Sequence, residues 1–204
     1  MTRTLVRRAT LAGATLTLAL LVAACGDHDA MPGMQHGGAT TTAAGSASPG
    51  TAAFNDADAM FAQMMVPHHQ QAVEMADLAD TRAADPEVKT LARQIKAAQG
   101  PEITTMTGWL SSWGKPVPAM SDMSHGGMSG MMSGTDMAKL KAATGKDFDR
   151  QFCTMMIAHH QGAIAMSQDE LRNGTNADAK ALAQRIITAQ QAEIDTMNKI
   201  LARL

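Results

Sequence analysis

Tyrosine is absent from this sequence of 204 residues, which has only four phenylalanines and two tryptophans. Aromatic platforms on which bases or sugars could stack are therefore scarce. A strong net charge of either sign is lacking as well, because the 17 lysines and arginines nearly balance the 19 aspartates and glutamates. A phosphate backbone would meet no basic surface, so we predict no nucleic-acid partner. The length allows at most one medium-sized domain with appendages.

An apolar run long enough to span a bilayer is also missing, because the run at residues 11–24 is too short. It follows three arginines and closes on the tetrapeptide VAAC at Cys25, which resembles the bacterial lipobox. The resemblance implies that residues 1–24 are a signal peptide. It also implies that Cys25 carries a lipid and anchors the exported protein to the outer face of the cell membrane. Two alternatives stay open: ordinary secretion with an incidental Cys25, and a twin-arginine signal at Arg7 and Arg8.

Cysteine is nearly absent, with Cys153 the only thiol besides Cys25. A lipid-modified Cys25 leaves no partner for an internal disulfide, even in an oxidising compartment. Cys153 therefore either packs as a small buried hydrophobic residue or ligates a metal.

Methionine, by contrast, is abundant, with 18 residues beside seven histidines. Residues 25–53 predict a disordered, lipid-anchored tether, since their small and polar side chains cannot offset the entropy lost on ordering. Residues 112–135 predict a flexible linker rich in Met, Gly and Ser. A methionine in such a linker has no core to fill, so we interpret the soft ligands there as metal-binding. These candidates are Met120, Met123, His125, Met128, Met131 and Met132.

The remainder, residues 54–204, contains an internal duplication. Residues 61–110 align with residues 152–201 at a constant offset of 91, with 19 identities in 50 positions and no gap. The densest match pairs MMVPHHQQAVEM, which begins at Met64, with MMIAHHQGAIAM, which begins at Met155. The duplication divides the domain into units 54–111 and 145–204 on either side of the linker.

Apolar residues in each unit recur at spacings of 3, 4 and 7, which is typical of one helix face. Each unit is therefore expected to be a helical hairpin that cannot bury its own apolar stripe. Two such hairpins predict an all-α fold, a four-helix bundle. The predicted helices lie at residues 56–82, 86–111, 147–172 and 177–203, with a short one at 136–143.

Local signals mark several helix boundaries. Asp85 followed by Pro86 predicts a helix start, and Asn176 can cap the last helix. Two prolines lie inside predicted helices, where each removes a backbone hydrogen bond. We expect Pro67 to kink its helix and Pro101 to bend or break its own.

Two adjacent histidines occupy the same place in both units, as His68-His69 and His159-His160. On a helix, neighbours in sequence point to different edges, and methionines at spacings of four and seven lie beside them. Core packing has no use for two consecutive polar rings, so the pairs are predicted to bind a metal ion. The candidate ligands in the bundle are His68, His69, His159, His160, Met64, Met65, Met75, Met155, Met156 and Met166.

Imidazole and thioether together favour copper, since thioethers select Cu(I) and imidazole also binds Cu(II). The ions Mg²⁺, Ca²⁺ and Mn²⁺ prefer oxygen ligands instead. The sequence thus predicts a copper site that prefers Cu(I). A helical methionine is also ordinary core filler, so packing stays the alternative for Met75 and Met166. Glu102 and Glu193 either hydrogen-bond the histidine rings or are solvated at the helix edge.

These motifs resemble the DUF305 family of exported bacterial proteins. The resemblance rests on MMVPHHQQAVEMA at residues 64–76, MMIAHHQGAIAMS at 155–167, and the Gln-x-x-Glu-Ile-x-x-Met stretches at 99–106 and 190–197. It covers nearly all of residues 54–204. It implies a ferritin-like helical fold and, as in some members, copper binding and copper tolerance.

We therefore predict an extracytoplasmic copper-binding lipoprotein that sequesters or transfers copper and needs no catalysis. Its partners would be copper ions and the membrane, with a copper-transfer protein or a second copy of the chain left open. One alternative is a ferritin-like redox enzyme, but its di-iron centre needs Glu-x-x-His motifs, and the sequence contains none. The other alternative is a Met-rich bundle that binds apolar partners without a metal.

Overall fold

The computed structural model describes residues 53–118 and 128–204. The predicted signal peptide, the tether up to residue 52 and the lipidation site Cys25 lie outside the described residues. So do the linker ligands Met120, Met123 and His125.

The described residues form six helices and no strand. Four long helices make two antiparallel hairpins, α1 with α3 and α5 with α6, which pack together chiefly through α1 and α5. The predicted all-α four-helix bundle of two hairpins is confirmed. The helices are α1 (Asp56–Asp77), α2 (Ala79–Arg82), α3 (Pro86–Ser112), α4 (Gly134–Ala142), α5 (Gly145–Asn173) and α6 (Ala177–Leu201).

Helix caps follow from short-range chemistry, as expected. The Asp85 carboxylate accepts a hydrogen bond from the Glu87 amide at 2.8 Å, with Pro86 at the first helical position. Asn176 accepts from two amides at the start of α6. Asn55 and Asp58 form a capping box at the start of α1, in which each side chain accepts from the other's backbone N–H.

One expectation about helix continuity is wrong, and of the two outcomes expected for Pro101, a bend or a break, the break does not occur. The helix predicted over residues 56–82 is interrupted at Leu78, which separates α1 from α2. Conversely, α3 runs through Pro101 without a break. The lost hydrogen bond is tolerated because buried residues on both sides, Gln99 and Met106, keep α3 packed on the bundle.

Part of the predicted linker is ordered against the bundle. Met132 is half-buried and packs on the apolar core, so the expectation that no linker methionine has a core contact is wrong for this residue. Ser133 caps α4 by accepting from the Asp136 amide, and α4 buries Met137 and Leu140. No helix in the described ranges has both the length and the hydropathy needed to cross a bilayer.

The core consists of two apolar clusters, one toward each end of the bundle. The first includes Ile95, Phe148, Phe152 and Met156, and the second includes Phe61, Leu110 and Ile186. On each long helix, buried polar residues lie in sequence between the segments that supply the two clusters. This polar layer consists of His68, His69, Gln99, His159, His160 and Gln190.

Candidate metal centre

The inner histidines of the polar layer, His68 on α1 and His159 on α5, face each other across the bundle. Their ring centroids are 3.7 Å apart, with the ring planes inclined at 38°, and both side chains are fully buried. None of their four ring nitrogens has a hydrogen-bond partner among the described residues. Buried polar groups are normally paired, so these nitrogens need another partner.

The outer histidines each meet a glutamate from the other helix of their hairpin. His69 Nε2 lies 2.7 Å from Glu102 Oε2, and His160 Nε2 lies 2.6 Å from Glu193 Oε2. A neutral imidazole that donates through Nε2 keeps its lone pair on Nδ1. Both Nδ1 atoms are buried and have no hydrogen-bond partner in the described part of the chain. Of the two roles considered for the glutamates, the geometry favours hydrogen bonding to the histidine rings.

This arrangement matches the way proteins prepare a histidine for metal binding. A ligating ring usually donates its other N–H to a carboxylate, which fixes the tautomer and raises the basicity of the ligand nitrogen. The same contact occurs in both halves of the duplication, with a sequence separation of 33 residues each time. In the tautomer that donates through Nε2 to the glutamate, each outer ring would present its Nδ1 lone pair to the interior.

The electrostatic environment keeps the inner rings uncharged. Burial, together with the neighbouring His69 and His160, lowers the pKa of His68 to about 3. Burial and the other three histidines lower the pKa of His159 well below its usual value. The Ser129 backbone opposes the lowering of the His68 pKa, although no hydrogen bond of regular geometry reaches the ring nitrogens. A neutral imidazole is the form that binds a metal.

The predicted methionine ligands divide between the two apolar clusters. Met75 and Met156 lie in the cluster with Phe152, whereas Met65 and Met166 lie in the cluster with Phe61. The remaining predicted methionines in the described ranges are half-buried. The structure thus brings the four histidines into one layer and places thioethers on both sides of it. The half-buried methionines among the predicted ligands are Met64, Met128, Met131, Met132 and Met155.

Cys153 has the environment of a packing residue. It is fully buried beside Phe152 in the first cluster, and burial, with the nearby charge of Asp149, raises the pKa of its thiol to about 12. A metal ligand must be the thiolate. Of the two roles left open for Cys153, its surroundings favour packing.

Sequence reasoning did not single out Gln99 and Gln190 as site residues. They are equivalent in the duplication and are 2% and 3% exposed. Both amide atoms of Gln99 and the amide oxygen of Gln190 lack hydrogen-bond partners. The signal was the repeated Gln-x-x-Glu, in which the glutamate contacts a histidine ring and the glutamine lies one turn earlier.

The donor set fits a borderline or soft metal ion. Among the described residues, six buried imidazole nitrogens of the layer have no hydrogen-bond partner. Imidazole suits copper and zinc, and the flanking thioethers are soft. In the described ranges, no three His, Cys, Asp or Glu side chains converge as a metal site. An ion held by the inner histidines would therefore draw on donors of another type, such as the thioethers.

The model of the family "Domain of unknown function (DUF305)" matches residues 58–201. A presumed secreted DUF305 protein from Streptomyces coelicolor is 36% identical, with a TM-score of 0.66 over 72% of this chain and 92% of that one. A DUF305 fragment from Deinococcus radiodurans is 33% identical, with a TM-score of 0.67 over 74% and 98%.

A third solved structure is that of CopM in its Cu(II)-bound form. It is 38% identical, with a TM-score of 0.64 over 71% of this chain and 95% of CopM. CopM has also been crystallised in Cu(I)-bound, silver-bound and apo forms. No curated protein matches the sequence. With its family model spanning both hairpins and the polar layer between them, this chain belongs to the DUF305 family.

Proposed function

We propose that this protein binds copper outside the cytoplasm, preferring Cu(I), and sequesters the ion or transfers it to a partner without catalysing a reaction. The observation that carries the proposal is the polar layer. Six imidazole nitrogens buried there have no hydrogen-bond partner within residues 53–118 and 128–204, and two of the four rings contact glutamates.

A bound cation would reduce the free-energy cost of the unpartnered imidazole nitrogens in the polar layer. A buried polar atom without a partner costs about 1–3 kcal/mol, and the layer holds several of them. A cation held by the inner pair would take the one lone pair that each neutral ring carries and would so remove part of this cost, and a neutral ring releases no proton on binding it. The copper-bound and silver-bound forms of CopM support a soft monovalent ion or Cu(II) as the occupant.

Export and anchoring belong to the same proposal. A signal peptide over residues 1–24 and a lipid on Cys25 would hold the bundle at the outer face of the membrane, where it would meet incoming copper. The presumed secretion of the Streptomyces coelicolor relative supports export. Copper tolerance is the physiological role that fits a binding protein at this place.

The test is a competition for Cu(I) against a chromogenic chelator, using the mature protein. The double variant His68→Ala, His159→Ala should lose the tightest class of site. The control Gln161→Ala changes an exposed residue on the same helix, adjacent to His160, and should keep the affinity of the wild-type protein. A double variant that still binds as tightly would overturn the proposal, and so would stronger retention of Zn²⁺ than of Cu(I).

A further inference from the structure

Residues 128–132, called the strap here, cross from α5 to α1 beside the inner histidines. Their contact with α1 is made by Gln71, which is only 2% exposed. The Gln71 amide oxygen accepts from the Met132 N–H at 2.7 Å, and the amide nitrogen donates to the Met132 carbonyl at 2.9 Å. One side chain therefore satisfies both backbone groups of one residue in the strap.

The contact with α5 is a close approach of backbone to backbone. A Cβ atom at Gly162 would lie 2.0 Å from the Ser129 carbonyl oxygen, so any side chain there would displace the strap. Gly130 has a positive φ of 83°, and a Cβ at that position would lie 2.7 Å from the Ala158 carbonyl oxygen. Two glycines thus allow the strap to lie directly on α5.

Gln71 and Gly162 occupy equivalent positions in the duplication, 91 residues apart. Each lies three residues after an inner histidine and hence on the same helix face. A Cβ at Gly130 would also lie 2.9 Å from the carbonyl oxygen of His159, so the strap passes directly beside an inner histidine. The strap therefore crosses the seam between α1 and α5 next to the facing rings of the polar layer.

We infer that the strap covers the inner histidine pair, and that Gln71 and Gly162 are positioning residues that hold it there and slow the release of bound copper. This inference rests on the proposed function. Copper leaves the layer when the two hydrogen bonds between Gln71 and Met132 break and the strap lifts. Met128 and Met131, carried on the strap, move with it.

The experiment measures the rate at which Cu(I) passes from the loaded, mature protein to excess chelator. Gln71→Leu keeps the side-chain size but removes both hydrogen bonds, and should raise the release rate about tenfold or more. Gln71→Glu can accept from the Met132 N–H but cannot donate to its carbonyl, and should give an intermediate rate. Gly162→Ala should speed release by steric displacement. The matched control Gln70→Leu changes the neighbouring glutamine and should leave the rate unchanged.

Hydrogen exchange at the Met132 amide gives a second readout that needs no metal. It should accelerate in Gln71→Leu and Gly162→Ala and stay slow in Gln70→Leu, while the thermal melting of all apo variants remains cooperative. Unchanged copper release in variants whose Met132 amide has lost protection would overturn the role of the strap while leaving copper binding intact. A wild-type protein that binds no copper would instead overturn the proposed function, whatever the exchange data report.

Discussion

The carboxyl groups of Glu170, near the end of α5, and Asp58, near the start of α1, converge on Gly174, where an added Cβ would lie 2.1 Å from Glu170 Oε1 and 2.7 Å from Asp58 Oδ1. Both side chains are buried. Asp58 also accepts from the amides of Thr175 and Asn176, at 3.0 and 2.9 Å. Burial raises the pKa of Asp58, but hydrogen bonds from Asn55, Asn176 and Thr175 outweigh it and hold the pKa below its usual value. Asp58 is thus the charged member of the pair.

Glu170 is the neutral member. Burial, followed by the influence of the nearby Asp58 carboxylate, raises the pKa of Glu170 to about 8. The folded protein therefore binds a proton that the unfolded chain, with an ordinary carboxyl pKa, releases above about pH 4.5. We expect the contribution of this group to the free energy of unfolding to fall as pH rises toward 8, by up to roughly 4 kcal/mol, and to level off above it.

Urea unfolding between pH 5 and 9 measures this dependence. Glu170→Gln, which is neutral at every pH, should flatten the alkaline loss of stability, whereas Asp169→Asn, on the exposed neighbour, should keep it. An equally steep loss in Glu170→Gln would assign the effect to another group.

The unpartnered rings of the inner pair should make the apo protein less stable than it could be. Replacing buried polar partners by apolar groups of similar size is often neutral or stabilising. We expect the double variant His68→Leu, His159→Leu to raise the free energy of unfolding of the apo protein by about 1–3 kcal/mol. The control Gln161→Leu should change it by less than about 0.5 kcal/mol. A destabilised double variant would mean that the histidines hold the layer together without metal.

The glutamates that contact the outer rings should matter for affinity more than for folding. Glu102→Ala and Glu193→Ala should each weaken copper binding by roughly 10–100-fold, because the ring loses the partner that fixes its tautomer. Glu87→Ala, which removes an exposed carboxylate at the start of α3, provides the control. Equilibrium competition measures all three, and unchanged affinity in both glutamate variants would contradict a role for the outer rings.

The apo bundle should be folded, since both apolar clusters are complete without an ion. Its far-ultraviolet circular dichroism should remain helical in the presence of a chelator, and copper should raise the melting temperature without creating new helix. A spectrum that becomes helical only when copper is added would show that the fold depends on the metal, as in zinc fingers.

Much of the fold was accessible from the sequence because its determinants are local. The caps at Asp85 and Asn176 depend on residues within one turn, and the duplication displays the same apolar faces twice. The break at Leu78 and the continuity through Pro101 depend on what packs against those turns from elsewhere in the chain. Such contacts leave no mark in the local pattern.

The site divides in the same way. The equivalent placement of the two histidine pairs was readable from the duplication, whereas their role as metal ligands stays a prediction. The repeat places Gln99 and Gln190 four residues after Ile95 and Ile186, on the same helix face, but a glutamine at the edge of an apolar stripe can face either solvent or the core. The contact of Gln71 with Met132 joins residues 61 apart in sequence and becomes visible only in three dimensions.

The difference between Gln71 and Gly162 also bears on why the two units share one chain. The inner histidines come from equivalent positions, so a polar layer of this kind could be assembled from two copies of a single hairpin. Identical copies, however, would carry the same residue at both of these positions. Both would then be glutamines that hydrogen-bond the strap, or both would be glycines that leave room for it. Fusion into one chain freed the two positions to diverge, and it supplied the single connecting segment that lies asymmetrically across an otherwise paired site.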